Sequence, residues 1–202
     1  KVWRGREQMG IISSSEATPR AEAAIMKALE LDTTYSEIYH SFGGLMTWSK
    51  WDWKAGEAYF RKALELNPQN ADAHSAFSHL LNILGRPDEA MKHIETALGL
   101  DPFNPKIKSF YGVDLMFVHR YDDAIKEFRE ALDLNPTQGV ADANIVDALF
   151  LAGREEEAME MQRARWKNNS GYSRVLEEGY AEGGFKGGCK KLADFRADNF
   201  NT

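Results

Sequence analysis

The residues of this 202-residue chain whose types could do chemistry are five histidines, one cysteine, a glycine-rich run and an acidic run. The histidines are His40, His74, His79, His93 and His119, and no two stand four residues apart as a helical metal-binding pair would. Cys189 has no histidine beside it in sequence to draw off its proton, so a packed thiol is expected rather than a nucleophile. The run Gly183-Gly184-Phe185-Lys186-Gly187-Gly188 looks superficially like a phosphate loop. It lacks the preceding strand pattern and the Gly-Lys-Ser/Thr ending, so it is read as a turn between two helices. Glu155-Glu156-Glu157 reads as the acidic first turn of a helix, where negative charge meets the positive end of the helix dipole. Neither a metal nor a cofactor is expected, and the chain is not read as an enzyme.

The elements that must position these residues are set by a repeat. ALELD at Ala28, ALELNP at Ala63, ALGLDP at Ala97 and ALDLNP at Ala131 are spaced by 35, 34 and 34 residues. Gly85, His119 and Gly153 stand 34 apart, each followed by Arg, and Ala90, Ala124 and Ala158 form a third ladder of the same period. Small residues let two helix axes approach while a Phe or Tyr fills the space beside them. Asn-Pro and Asp-Pro stop a helix, because proline lacks the N–H and drives its predecessor out of helical geometry. A glycine before each Arg suits a left-handed helix-ending turn, and His119 is expected to substitute for it in one repeat.

With these spacings the chain resembles the tetratricopeptide repeat (TPR) family, whose unit is 34 residues of helix, turn, helix. Tyr111-Gly112, Tyr121, Ala124, Phe128, Ala131 and Pro136 carry the resemblance in one repeat, and Tyr39, Phe42-Gly43, Gly56, Phe60, Ala63 and Pro68 in another. The resemblance implies an all-α fold, a right-handed superhelix of helix hairpins. Residues 1–34 form an incomplete leading repeat on this reading, 35–69, 70–103, 104–137 and 138–171 four complete repeats, and 172–202 a capping hairpin. Pro19 to Leu31 is expected to be the second helix of the leading repeat, capped by Thr18. The last complete repeat is degenerate, with Gln162 and Arg165 where the others hold an apolar residue and alanine.

The first hairpin carries one extra residue within Trp48-Ser49-Lys50-Trp51-Asp52-Trp53. Asp52 would cap the next helix while Trp51 and Trp53 staple the turn to the hairpin, or an exposed tryptophan would serve as a partner hot spot. The Trp-Asp-Trp element is similar to a bacterial TPR subfamily attached to winged-helix regulators, adenylate cyclases or kinases. That resemblance implies a sensing or partner-recruiting segment.

In the family the first helices face a concave groove. The matching positions are Glu37, His40, Ser41 and Trp48; Asp72, Ser75, His79 and Asn82; Lys106, Ser109, Phe110, Val113 and Phe117; and Asn144, Asp147 and Phe150. The implied partner is a protein or peptide with apolar anchors. His40 and His79 are read as polar lining rather than a metal pair, and Phe110, Phe117 and Phe150 as groove aromatics or inter-repeat core. Chaperone-binding members grip a carboxylate tail with Lys, Asn and Arg, but the matching places here hold His40, Gly44, Ala76, Lys106 and Phe110, so a chaperone tail is not expected.

A hydrophobic share of 43% with only 6 Pro fits an ordered helical protein. The net charge of -6 argues against a nucleic-acid partner, which would need clustered cations. No apolar run is long enough to span a bilayer and no leader pattern is present, so a cytoplasmic, non-inserted protein is expected. The chain starts and stops abruptly, as a piece of a longer protein would. Self-assembly through open solenoid ends is the alternative partner reading.

Overall fold

The structure, a computed structural model, describes residues 11–200, the side chain of Phe200 excepted. The parts of the leading repeat at 1–10 and of the capping hairpin at 201–202 lie outside the described residues. The chain is all helical among those described: α1 (Ser14–Leu31), α2 (Ser36–Trp48), α3 (Trp53–Leu66), α4 (Ala71–Ile83), α5 (Pro87–Leu100), α6 (Pro105–Phe117), α7 (Tyr121–Leu134), α8 (Gly139–Leu151), α9 (Glu155–Trp166) and α10 (Ser170–Phe200). Each helix packs on its neighbour in sequence, and α2, α4, α6 and α8 also pack directly on one another. The result is a right-handed α-solenoid with the first helix of each hairpin on its inner wall.

The starts and stops follow from side-chain chemistry. Asn70 Oδ1 accepts from the Ala73 amide at 2.9 Å, Asn104 Oδ1 from Lys106 and Ile107, and Asp52 Oδ1 from Ala55 at 3.0 Å, each satisfying orphan donors of a first turn. Gly85, His119 and Gly153 have φ of 72°, 61° and 76°, so His119 does stand in the left-handed turn position. Its imidazole is held locally by the Tyr121 hydroxyl, 2.6 Å from Nδ1. The alanine ladders face inward: Ala63, Ala97, Ala131, Ala90, Ala124 and Ala158 are all fully buried. Phe60, Ile94 and Phe128 fill the slot between them.

Three expectations are corrected. The first helix begins at Ser14 rather than Pro19, with Ser13 and not Thr18 at its N-cap position. Proline's fixed φ is helical, and as the sixth residue Pro19 costs the helix the hydrogen bond to the Ser15 carbonyl and crowds that carbonyl without ending the helix. Trp51 and Trp53 do not staple the turn: Trp51 is 71% exposed and Trp53 38%, although Asp52 caps as expected. The extra residue widens the turn, so that the Asp52 amide reaches back to the Met46 carbonyl, and Trp51 takes the left-handed position at φ 56°. Third, α10 begins at Ser170, earlier than the Tyr172 expected, and runs to Phe200 with a sharp break at Gly183-Gly184, where Gly184 has φ 62°. The two halves close on each other with Gly179 against Gly187 and Gly188, so tightly that a Cβ on any of the three would meet the facing chain. The glycine run is thus a helix turn and crossing.

Candidate functional site

The inner wall encloses a cavity of about 620 Å³ lined from α1 through to the start of α8. Its apolar strip runs along three consecutive first helices. The Trp48 ring lies 6.2 Å from His79 and the His79 ring 5.3 Å from Phe110, with Phe60 behind Trp48 at 5.8 Å. At the rim Lys106 reaches Asp72 at 3.3 Å across α4 and α6. His40 faces the same space with Nδ1 3.4 Å from a Glu37 carboxylate oxygen. Glu37 itself accepts from Asn70 Nδ2 at 2.9 Å, which holds α2 to the start of α4.

Burial lowers the pKa of both groove histidines, and for His79 it is the sole cause. Neutral imidazoles therefore face the cavity at physiological pH. His79 Nδ1 is buried without a hydrogen-bond partner, which leaves a polar atom beside an aromatic strip. A wall of this kind can take a large apolar side chain against Trp48 and Phe110 and a hydrogen-bonding group at His79.

Of the residues singled out from the sequence, His40, Ser41, Trp48, Asp72, His79, Lys106 and Phe110 come together around this cavity. Glu37 supports His40 at its edge. Ser75, Asn82 and Ser109 do not reach it with exposed surface, being buried to 1%, 5% and fully. Small polar residues at these positions are drawn into the α4–α6 contact, where Ser109 Oγ bonds its own helix at the Pro105 carbonyl. Asn144 is turned back onto the Val140 carbonyl at 2.8 Å, and Asp147 is exposed beyond the cavity. Val113 packs against the core of the last repeats. Phe150 stacks on Phe185 of the terminal hairpin at 5.0 Å, a core contact, while Phe117 is 48% exposed at the end of α6.

Sequence reasoning missed the contribution of α1. Ala21 and Ile25 wall the cavity, although α1 is the second helix of its repeat and the groove was expected on first helices. Their small-apolar spacing was the available signal. It also missed a polar pair inside the wall: Asn82 Nδ2 donates to Asp114 Oδ1 at 2.5 Å, while Asn82 Oδ1 and Asp114 Oδ2 are buried without partners. Asp114 is wholly inaccessible, and burial pushes its carboxyl up to about 7. Hydrogen bonds from Ser78 and Asn82 oppose this rise, and a proton on the carboxyl supplies a further donor to the pair.

His74 and His93 form a second pair, Nδ1 to Nδ1 at 2.8 Å, with His74 Nε2 3.1 Å from the Pro68 carbonyl. Burial, followed by the neighbouring His74 and Arg61, brings His93 down to about 4. Among the described residues no group of three or more His, Cys, Asp or Glu could hold a metal ion. No described helix is long and apolar enough to cross a membrane.

The family model for the tetratricopeptide repeat matches residues 15–170. The chain belongs to the tetratricopeptide repeat family. Solved TPR structures agree with its fold. YrrB, a TPR protein with an unusual peptide-binding site, is 24% identical with a TM-score of 0.58, over 79% of this chain and 82% of that one. MamA is 18% identical with a TM-score of 0.59, over 78% and 88%. The first TPR of Spaghetti (RPAP3) bound to the HSP90 peptide SRMEEVD is 15% identical with a TM-score of 0.55, over 60% and 96%. No curated protein sequence matches the chain. In this TPR chain the left-handed turns and alanine crossings hold the first helices side by side, and that is what brings Trp48, His79 and Phe110 into one row.

Proposed function

We propose that this chain is a non-catalytic scaffold that holds a segment of another protein along its concave face. The observation that carries the reading is the continuous row Trp48, His79, Phe110 along a cavity of about 620 Å³. Apolar burial against the two outer rings supplies affinity, and His40, His79 and the Asp72–Lys106 pair select polar groups of the ligand backbone. YrrB, with a peptide-binding site, and RPAP3, with a bound HSP90 peptide, lend the reading support from the same fold. A carboxylate-terminated chaperone tail is a poor occupant here, because Lys106 is the one cation retained from that clamp and it already faces Asp72.

Selection from a displayed random-peptide library tests this. The selected peptides are expected to carry an aromatic or large aliphatic residue and to lose roughly tenfold or more in affinity for Phe110→Ala. Peptides that bind Phe110→Ala and Trp48→Ala as well as the parent chain would move the site off the concave face.

A second reading, self-association, is favoured by an apolar recess beside α1. Ile25, Ala28, Tyr35 and Ile38 line a recess of about 560 Å³ between α1 and α2, beside Leu31 at 80% and Met26 at 50% exposure. Light scattering across a concentration series, with Met26→Ser and Leu31→Ser compared, separates a monomer from an assembly. A regulatory role for an attached signalling or DNA-binding domain rests on the Trp-Asp-Trp element alone, and the coding sequence on either side tests it.

A further inference from the structure

One position of the repeat changes character in α6. Leu45, Leu80, Asp114 and Ala148 take the same place in successive first helices, 35, 34 and 34 residues apart, and each is at most 1% exposed. Three are alkyl side chains and the fourth is a carboxyl. Burying a carboxyl costs stability unless its oxygens are satisfied, and an apolar side chain fills this place in every other repeat. A costly group at one repeat of four points to a use for it.

The carboxyl spans the contact between α6 and α4. Asn82 Nδ2 donates to Asp114 Oδ1 at 2.5 Å, while Asp114 Oδ2 and Asn82 Oδ1 are buried without partners. α6 packs on α4, α5, α7 and α8, and among the described residues no charged or titratable side chain of these helices acts on the carboxyl. Its polar neighbours are Asn82 and Ser78, whose hydroxyl also lies 2.9 Å from the Ser75 carbonyl. Burial prevails over these hydrogen bonds and lifts the group to about 7. Losing the proton removes a donor from the pair and leaves a buried negative charge with no cation to answer it.

The pair lies one turn along from a ring contact of the groove. His79 and Asn82 stand three apart on α4, and Phe110 and Asp114 four apart on α6, so on each helix the two side chains share a face. The His79 and Phe110 rings meet at 5.3 Å across the same two helices. Whatever moves α4 on α6 at the polar pair therefore moves one groove ring on the other. Packed contacts of this kind shift between discrete arrangements rather than stretching. We infer that Asp114 is a proton-operated latch on the concave face: its neutral carboxyl holds α4 to α6 with His79 against Phe110, and its ionisation loosens that contact and weakens the hold on a ligand. The ligand half of this rests on the groove reading above; the loosening of the helix contact does not.

Amide hydrogen exchange of the full chain without ligand tests the latch, compared between pH 6.5 and 8.5 after correction for the intrinsic rise in rate. Amides of α4 and α6 are expected to exchange several-fold faster at the higher pH. Asp114→Asn, which keeps a donor at every pH, and Asp114→Leu, which restores the residue of two other repeats, should both lack that acceleration. No acceleration in the parent chain, or the same acceleration in both variants, overturns the latch. Binding then separates the two readings. Peptides selected on the groove should lose affinity several-fold over this range on the parent chain and keep it on Asp114→Asn. Equal losses on the two, or no loss on the parent, overturn control of the groove. If no selected peptide depends on Phe110, the groove reading fails first, and the exchange result decides the latch between α4 and α6 by itself.

Discussion

A methyl group added at Gly112 would stand 2.5 Å from Phe128 Cε1, and one at Gly43 2.7 Å from Phe60 Cδ1. Both rings are fully buried, so neither can swing aside freely. Gly112→Ala is therefore expected to destabilise by about 1–3 kcal/mol despite the better helix propensity of alanine, read as a lower urea midpoint at unchanged m-value. Trp51 is the opposite case. Its left-handed φ costs about 1–2 kcal/mol for a side chain with a Cβ, while glycine there returns part of that as greater freedom of the unfolded chain. Trp51→Gly should gain about 0.5–1 kcal/mol in urea unfolding. An unchanged midpoint would mean that contacts of the indole offset the strain.

At the level of the helix hairpin, the slot between the alanine ladders holds Phe60, Ile94 and Phe128 in three repeats and Gln162 in the fourth. The Gln162 Oε1 is buried there with no partner, as is Trp166 Nε1 one turn later. Gln162→Leu replaces an unsatisfied amide with an apolar side chain of similar size, and about 1 kcal/mol of added stability is expected, a rise of roughly 2–4 °C in Tm by calorimetry. An unchanged or lower Tm would mean that the hydrogen bond between Gln162 and Cys189 outweighs the cost of the unpaired Oε1. The same repeat logic explains what was readable in advance. Helix bounds such as Pro87–Leu100 and Tyr121–Leu134 were legible because proline, glycine and capping residues act locally. Trp48, His79 and Phe110 were each legible as inner-face positions, but the row they form steps by 31 residues and so crosses the 34-residue repeats obliquely, which no repeat pattern announces. Ser75 and Ser109 were misplaced because a serine on the inner face can turn to solvent or back into the helix contact, and only packing decides. The Asn82–Asp114 pair joins residues 32 apart, slightly off the repeat, and no local pattern announces it.

Across the whole molecule, two sets of buried groups make stability depend on pH in opposite directions. His40, His74, His79 and His93 all have lowered folded pKa values, chiefly through burial, with His93 at about 4 against 6.5 unfolded. The unfolded chain then binds more protons, so their contribution is present above pH 6.5 and is lost as pH falls from 6.5 towards 4. Asp114, raised to about 7 from 3.8, behaves oppositely: the folded state holds the extra proton, and its contribution is full below pH 3.8 and lost as pH rises through 7. Four groups against one make the histidines prevail, and urea midpoints are expected to fall on acidification through this window. Asp114→Asn keeps the acceptor for Asn82 Nδ2 and supplies a donor for Asn82 Oδ1 at every pH. It removes the opposing proton, so the acid loss should steepen by up to about 1.4 kcal/mol per pH unit between pH 4 and 6.5, while stability at pH 8 rises. Parallel urea titrations of the two proteins from pH 4 to 8 measure this. Superimposable slopes would show that Asp114 is ionised in the fold, with water or a moving side chain satisfying its second oxygen.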